Sequence, residues 1–243
     1  MPERCLHCYI TDRTAFAADE PTRRRRLLEK IAEAARAGID YIQLREKDLA
    51  TRELESLARE AVRAIRDARA LPTGHAPPTV LLLNSRTDVA LAVGADGVHL
   101  RSEDVSTQEV CTIWRKSYVG TVARGRPAPQ STAAIDPARK PTPLIGVSCH
   151  SPEEVLRAQS EAASFAVFAP VFEKKDLPAH QPAGLVRLRE ACQANIPVLA
   201  LGGITLENAK SCLQAGAAGI AAIRLFQEND VAAVLESLHR LAR

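Results

Sequence analysis

Aromatic side chains are scarce in this chain, at 4% of 243 residues, with one Trp and one Met. That scarcity leaves no stacking platform interleaved with basic residues, so a nucleic-acid interface is not expected. The dense basic block at Thr22–Leu27, TRRRRL, reads instead as the solvated face of a helix. Charge of one sign is also lacking: 32 basic against 29 acidic residues leave a net charge of +3. No run of eighteen apolar residues occurs, which argues against a transmembrane helix. The opening MPERCLHCYITDR reaches an acid within three residues and lacks a long apolar stretch, so no secretory leader is expected. A cytoplasmic enzyme is the expectation. Six cysteines, at 5, 8, 111, 149, 192 and 212, share no repeated spacing that would suggest a disulfide framework or a four-ligand zinc site. Cys5 and Cys8 form a CxxC only in a formal sense, because they fall in a strand-like run and no second pair completes them.

What is present is repetition of strand and helix. Apolar strand-like runs recur at Leu6–Ile10, Asp40–Leu44, Val80–Leu83, Gly97–Leu100, Leu144–Val147, Phe165–Pro170, Pro197–Leu201 and Gly219–Ile223. Amphipathic or alanine-rich stretches lie between most of them, at Arg24–Ala37, Thr51–Ala68, Ser151–Ala162, Leu185–Ala194 and Thr205–Ala215, and Val231–Ala242 follows the last. Eight alternating units in a chain of this length predict an α/β protein, a (β/α)8 TIM barrel forming one domain over 1–243. Two segments interrupt the rhythm. Leu71–Thr79 is a proline-rich connector, and 117–143 reads as an irregular helix-to-strand loop on the face away from chemistry. The 172–183 loop follows the sixth strand and is a candidate active-site lid.

In such a barrel the C-terminal strand ends share one mouth. The seventh and eighth strands open onto Gly202-Gly203 and Ile223-Arg224, which suit a phosphate because glycine lets backbone N–H groups approach an anion. Tight turns and close packing are the alternative use of those glycines. Arg45 and Lys47, two apart at the end of the second strand, can share one face and receive phosphate or pyrophosphate, or can pair with Glu46 and Asp48. Asn84 can hydrogen-bond a ligand ring. Glu103 and Asp104 can hold magnesium or cap the next helix. His99 is expected to be a packed strand residue and Cys149 a small buried filler. Ser151, with Glu154 three residues on, reads as a helix N-cap. His150 at a strand end is a candidate acid/base, and loop ordering is its alternative role.

Taken in order, QLREK (43–47), NSRTDVALAVGADGVHLRSED (84–104), IGVSCHS (145–151), FAPVFEKK (168–175), VLALGGIT (198–205) and AGAAGIAAI (215–223) resemble the thiamine phosphate synthase/TenI superfamily. The resemblance runs from Tyr9–Asp12 to the last helix and implies a (β/α)8 barrel. One branch joins a pyrimidine pyrophosphate to a thiazole phosphate with magnesium. The other isomerises a thiazole carboxylate phosphate without metal. By position the resemblance gives Arg45 and Lys47 to pyrophosphate, Asn84, Ser148 and Lys175 to substrate, Asp104 to magnesium if the chain is synthase-like, and acid/base work to His150. It also places the thiazole phosphate at Gly202, Gly203, Ile223 and Arg224. Ser85 stands where synthases carry an aspartate metal ligand, and the synthase threonines of the sixth-strand loop are absent. These departures put TenI-like, metal-independent tautomerisation first, with no cofactor. Thiamine phosphate synthesis with magnesium is the alternative, and a catalytically silent binder of thiazole or thiamine phosphate is the third reading. The expected partner is a small-molecule thiazole phosphate, with neither nucleic acid nor membrane, and a homo-oligomer is left open.

Overall fold

Eight strands close into a parallel barrel in chain order in this computed structural model, which describes residues 4–69, 78–122, 142–173 and 181–242. The chain runs β1 (Leu6–Ile10), α1 (Glu20–Arg36), β2 (Tyr41–Leu44), α2 (Thr51–Arg69), β3 (Val80–Asn84), α3 (Thr87–Val93), β4 (Gly97–Leu100) and α4 (Thr107–Val122). It continues through β5 (Leu144–Cys149), α5 (Pro152–Ser160), β6 (Phe165–Phe168), α6 (Gly184–Ala191), β7 (Val198–Ala200), α7 (Ala209–Gln214), β8 (Gly219–Ala222), α8 (Arg224–Gln227) and α9 (Val231–Leu241). Pairing of Leu6 with Gly219 through Tyr9 with Ala222 joins the last strand to the first. The expected barrel is therefore the observed fold.

Period-two alternation splits each strand between two cores. Cys8, Ile10, Leu82, Phe165, Val167, Leu199 and Ala221 fill the barrel interior, where Tyr41 stacks on Phe165 at 4.7 Å. The alternate residues, such as Tyr9, Ile42, Leu83, Val98, Ile145 and Ile220, pack outward against the helices. Each fully buried aliphatic side chain contributes roughly 1.5–3 kcal/mol relative to exposure. Register is thereby fixed, since a one-residue slip would exchange the two cores.

Local chemistry sets the helix ends. Asp19 accepts from the Thr22 amide at 3.1 Å, with Pro21 in the first turn, so α1 starts at Glu20 rather than at Arg24. In α7 the start moves the other way. The Thr205 amide donates to Asn208 Oδ1 at 2.8 Å, and this side-chain turn delays the helix to Ala209. Residues 117–122, expected to be irregular, continue α4, and 123–141 lie outside the described residues. Residues 70–77 of the proline-rich connector lie outside them too.

The basic block is largely spoken for by neighbours. Arg24 pairs with Glu60 at 2.8 Å, Arg25 with Glu29 at 3.2 Å, and Arg23 donates to the Phe16 carbonyl at 3.0 Å. Among the described residues no helix is long and apolar enough to cross a membrane. The six cysteines are free thiols, and burial pushes Cys149 up to about 12, which suits packing rather than nucleophilic chemistry.

Candidate functional site

The C-terminal ends of the strands build a mouth with two unlike halves. Alternation that sends Tyr41, Leu82 and Leu144 inward also sends Gln43, Asn84, His99 and Ser148 inward, nearer the mouth. Across from them stand Ile10, Val167, Leu199, Leu201 and Ile223. The result is a polar arc from β2 to β5 facing an apolar arc from β6 round to β1. Side chains link the polar arc laterally. Gln43 Nε2 donates to Asn84 Oδ1 at 3.0 Å, Asn84 Nδ2 donates to Ser85 Oγ at 3.1 Å, and Ser85 bonds Asp104. Farther round, His99 Nε2 lies 2.9 Å from Ser148 Oγ.

Arg45 belongs to this arc. Burial pulls its guanidinium below the ordinary arginine value, opposed by Asp12 and Glu46 and reinforced by the positive charge of Arg101. His99 also feels Arg45, so the two guanidinium groups and the imidazole share one electrostatic neighbourhood. Glu46 and Asp48, weighed as partners of Arg45 and Lys47, also bind another cation. Arg13 takes both. Its Nη1 and Nη2 bind Asp48 at 2.7 and 2.8 Å, its Nη1 reaches Glu46 at 3.3 Å and its Nε reaches Glu20 at 2.7 Å. Glu46 also accepts from Thr11 Oγ1 at 2.5 Å, and Thr11 accepts from the Arg45 amide at 3.0 Å. Burial raises the Glu46 carboxyl, with Thr11 and Arg13 working against the rise. This buried lattice holds the turn that presents Arg45. Neither Thr11 nor Arg13 was among the expected site residues, because their partners lie more than thirty positions away.

A cleft of about 360 Å³ is lined by Glu46, Lys47, Asn84, Ser85, Arg86 and Arg101. Asp104 bonds Ser85 and Arg101 of that lining and has 11% of its side chain exposed. Burial opposes its charge, yet bonds from Ser85 and from the Arg101 amide and side chain outweigh that and hold the carboxyl below its ordinary value. The Arg101 contacts are 2.8 Å from the amide and 3.0 Å from Nη2. Capping of the next helix falls to Ser106, whose Oγ accepts from the Glu109 amide at 3.3 Å, so Asp104 closes the strand-end turn instead. Asp104 and Ser85 are the donor pair a hard divalent cation would meet here. One carboxylate suffices for magnesium when ligand phosphate oxygens and waters complete its shell.

At β5, Ser151 caps α5 as expected, accepting from the Glu154 amide at 3.3 Å. Glu154 reaches back to the His150 amide at 2.6 Å, one residue beyond the usual capping-box partner. His150 is exposed, and its Nδ1 lies 2.7 Å from the Ala169 carbonyl. A carbonyl only accepts, so Nδ1 carries the hydrogen and Nε2 is left as the basic atom of the neutral ring.

The glycine pair after β7 serves packing at the least. Gly202 and Gly203 have φ of +102° and +61°, and a Cβ on Gly203 would stand 2.5 Å from the Glu173 carbonyl oxygen. Both glycine amides lack a backbone acceptor among the described residues, which leaves them available to an anion. Ile223 precedes α8, and Arg224 is its exposed first residue. Lys175 and most of the candidate lid fall at 174–180, outside the described residues. The flanks of that loop are pinned, with Phe172 N bonded to Gly202 O at 3.1 Å and Ala183 N to Pro170 O at 2.8 Å.

Known proteins resemble this chain along most of its length. The family model described as thiamine monophosphate synthase matches residues 9–134 and 123–226. The chain is 36% identical over 220 residues to the "Putative thiamine-phosphate synthase 2" of Aquifex aeolicus, covering 90% of this chain and 96% of that one. It is 34% identical over 216 residues to the "Thiamine-phosphate synthase" of Roseiflexus castenholzii, covering 88% of this chain and 77% of the relative. Among solved structures, the thiamine phosphate pyrophosphorylase from Pyrococcus furiosus superposes with a TM-score of 0.69 at 28% identity, covering 98% of this chain and 95% of that one.

Proposed function

Because the chain belongs to the thiamine monophosphate synthase family, we propose that it makes thiamine phosphate, joining a pyrimidine carried on pyrophosphate to a thiazole phosphate. The observation that carries this reading is the polar arc, where Arg45 and Arg101 share a field beside an anionic Asp104. A pyrophosphate leaving group calls for that concentration of cationic and metal-binding groups; isomerisation of a monophosphate does not. The names of the relatives add to it, and together they move the weight from the tautomerase expected from sequence to its alternative.

Bond making and breaking assign work to each half of the mouth. The pyrimidine carbon loses its C–O bond, the electron pair leaves with pyrophosphate, and the thiazole nitrogen lone pair forms the new C–N bond. Arg45 and Arg101 face the charge that grows on the leaving oxygens, where preorganised donors act most strongly. Asp104, with Ser85 beside it, would hold magnesium, and the ion would supply further stabilisation of that charge. The apolar arc keeps water from the electron-poor carbon. Gly202, Gly203 and the Ile223–Arg224 turn hold the thiazole phosphate, and Ser148 and Asn84 contact the substrates. Arg45→Ala is expected to lower kcat/KM for thiamine phosphate formation by about 100-fold. Asp104→Asn is expected to raise the magnesium concentration needed for half-maximal rate. Unchanged steady-state kinetics in both variants would refute the assignment.

One observation favours a second reading, tautomerisation. His150 presents Nε2 as a base while the Ala169 carbonyl holds Nδ1. If proton transfer on a thiazole carboxylate phosphate is the reaction, wild type turns it over in EDTA and His150→Ala loses roughly 100-fold or more. Equal activity of the two proteins removes this reading. Tight binding of thiazole phosphate without either turnover would instead restore the silent binder.

A further inference from the structure

His99 lies at the inner wall of the barrel with 1% exposure, and its Nδ1 has no hydrogen-bond partner. Its surroundings decide which nitrogen carries the proton. Nδ1 faces Gly146 and Phe165: a Cβ on Gly146 would stand 2.7 Å from Nδ1 and 2.5 Å from the Phe165 ring. Neither neighbour hydrogen-bonds to Nδ1, and a water there would lack the two or more polar partners that hold a buried water. A buried N–H without an acceptor is costlier and rarer than a buried lone pair. The lone pair therefore belongs on Nδ1 and the hydrogen on Nε2. Burial, aided by Arg45, holds the imidazole down to about 4, so it stays neutral at ordinary pH.

From this geometry we infer that His99 is a positioning residue: its Nε2–H donates to Ser148 Oγ, which commits the Ser148 hydroxyl hydrogen outward, to an anionic oxygen of the substrate. The inference rests on the barrel mouth being the substrate site. Had the other tautomer been present, Ser148 would spend its hydrogen on the imidazole and offer the mouth only lone pairs, which repel an anion. Ser148 also lines a cavity of about 130 Å³ shared with Arg101 and Arg157, so an oxygen it donates to lies in reach of positive charge. Glycine at 146 is explained by the same arrangement, since any larger residue would push the His99 ring off Ser148.

The tautomer is directly observable in the wild-type protein labelled with ¹⁵N at histidine, using long-range ¹H–¹⁵N correlation. The expected pattern for His99 is a protonated Nε2 and a bare Nδ1; a protonated Nδ1 overturns the inference. Calorimetric titration with inorganic pyrophosphate in magnesium buffer tests the second half. Ser148→Ala and His99→Leu should each weaken binding about 10-fold or more, the double variant should lose no more than the worse single one, and His99→Gln, which keeps an amide donor, should recover part of the loss. Unchanged affinity in Ser148→Ala, or additive losses in the double variant, would refute the coupling. Should His99→Leu fail to fold, His99→Gln and the wild-type spectrum still decide. Absence of pyrophosphate binding in wild type would overturn the synthase reading and the donor role together, whereas the wrong tautomer overturns this inference alone.

Discussion

At the scale of single residues, burial does most of the chemistry. The His99 imidazole titrates near 4 in the fold and near 6.5 when unfolded. Between those values the unfolded chain binds more protons, so stability is fully present above about pH 6.5 and falls as the pH drops towards 4. The full loss is on the order of 3 kcal/mol. Urea unfolding followed across that range should show this acid limb in wild type and a flatter one in His99→Gln; parallel curves would contradict it. Arg13 and Glu46 make a second test. Their side chains are 4% and 1% exposed, so Arg13→Ala strands a buried carboxylate and should cost about 3–5 kcal/mol in the same assay. Individual residue types at strand ends were legible in the sequence, including His99 as a packed strand residue and Ser151 as a cap. Their partners were not. Ser148 is 49 positions from His99, and Arg13 is 35 from Asp48, distances at which no local pattern carries information.

At the scale of elements, hydrophobic period and turn residues told most of the story. The strands at Leu6–Ile10 and Gly97–Leu100 match their expected bounds, because short apolar runs between polar turns have few other uses in an alternating chain. Two helices escaped notice. α3 is only seven residues, TDVALAV, with Asp88 its one charged residue and too little polar face to reveal its period, and α8 is a single turn. Side-chain turns at Asp19 and Thr205 also moved helix starts in ways that propensity alone does not determine. The turn after β7 carries its own prediction. Gly203 has φ +61° with a carbonyl 2.5 Å from any added Cβ, so Gly203→Ala should destabilise by about 1–3 kcal/mol. It should also weaken thiazole phosphate binding, read by calorimetry. A variant with wild-type stability and affinity would show that this turn tolerates a side chain and contributes nothing to the phosphate.

At the scale of the whole molecule, closure of the barrel is what turns scattered strand ends into a site. Pairing of β1 with β8 brings Ile10 beside Ile223 on the apolar arc, while β2 to β5 gather Arg45, Asn84, Asp104 and Ser148 on the other. The barrel and its family were readable from ordered motifs, whereas the choice of reaction was not. Ser85 in place of an acid argued from sequence against magnesium. In the folded chain Ser85 bonds Asp104 and helps hold its carboxyl below the ordinary value, and the proposal of magnesium rests on that carboxylate. The most direct test supplies wild-type protein with pyrimidine pyrophosphate and thiazole phosphate, with saturating magnesium or with EDTA, and quantifies products. Thiamine phosphate and pyrophosphate appearing in equal amounts with magnesium, and falling steeply in EDTA, is the expected result. No thiamine phosphate at saturating magnesium, with thiazole carboxylate phosphate still isomerised in EDTA, would contradict it.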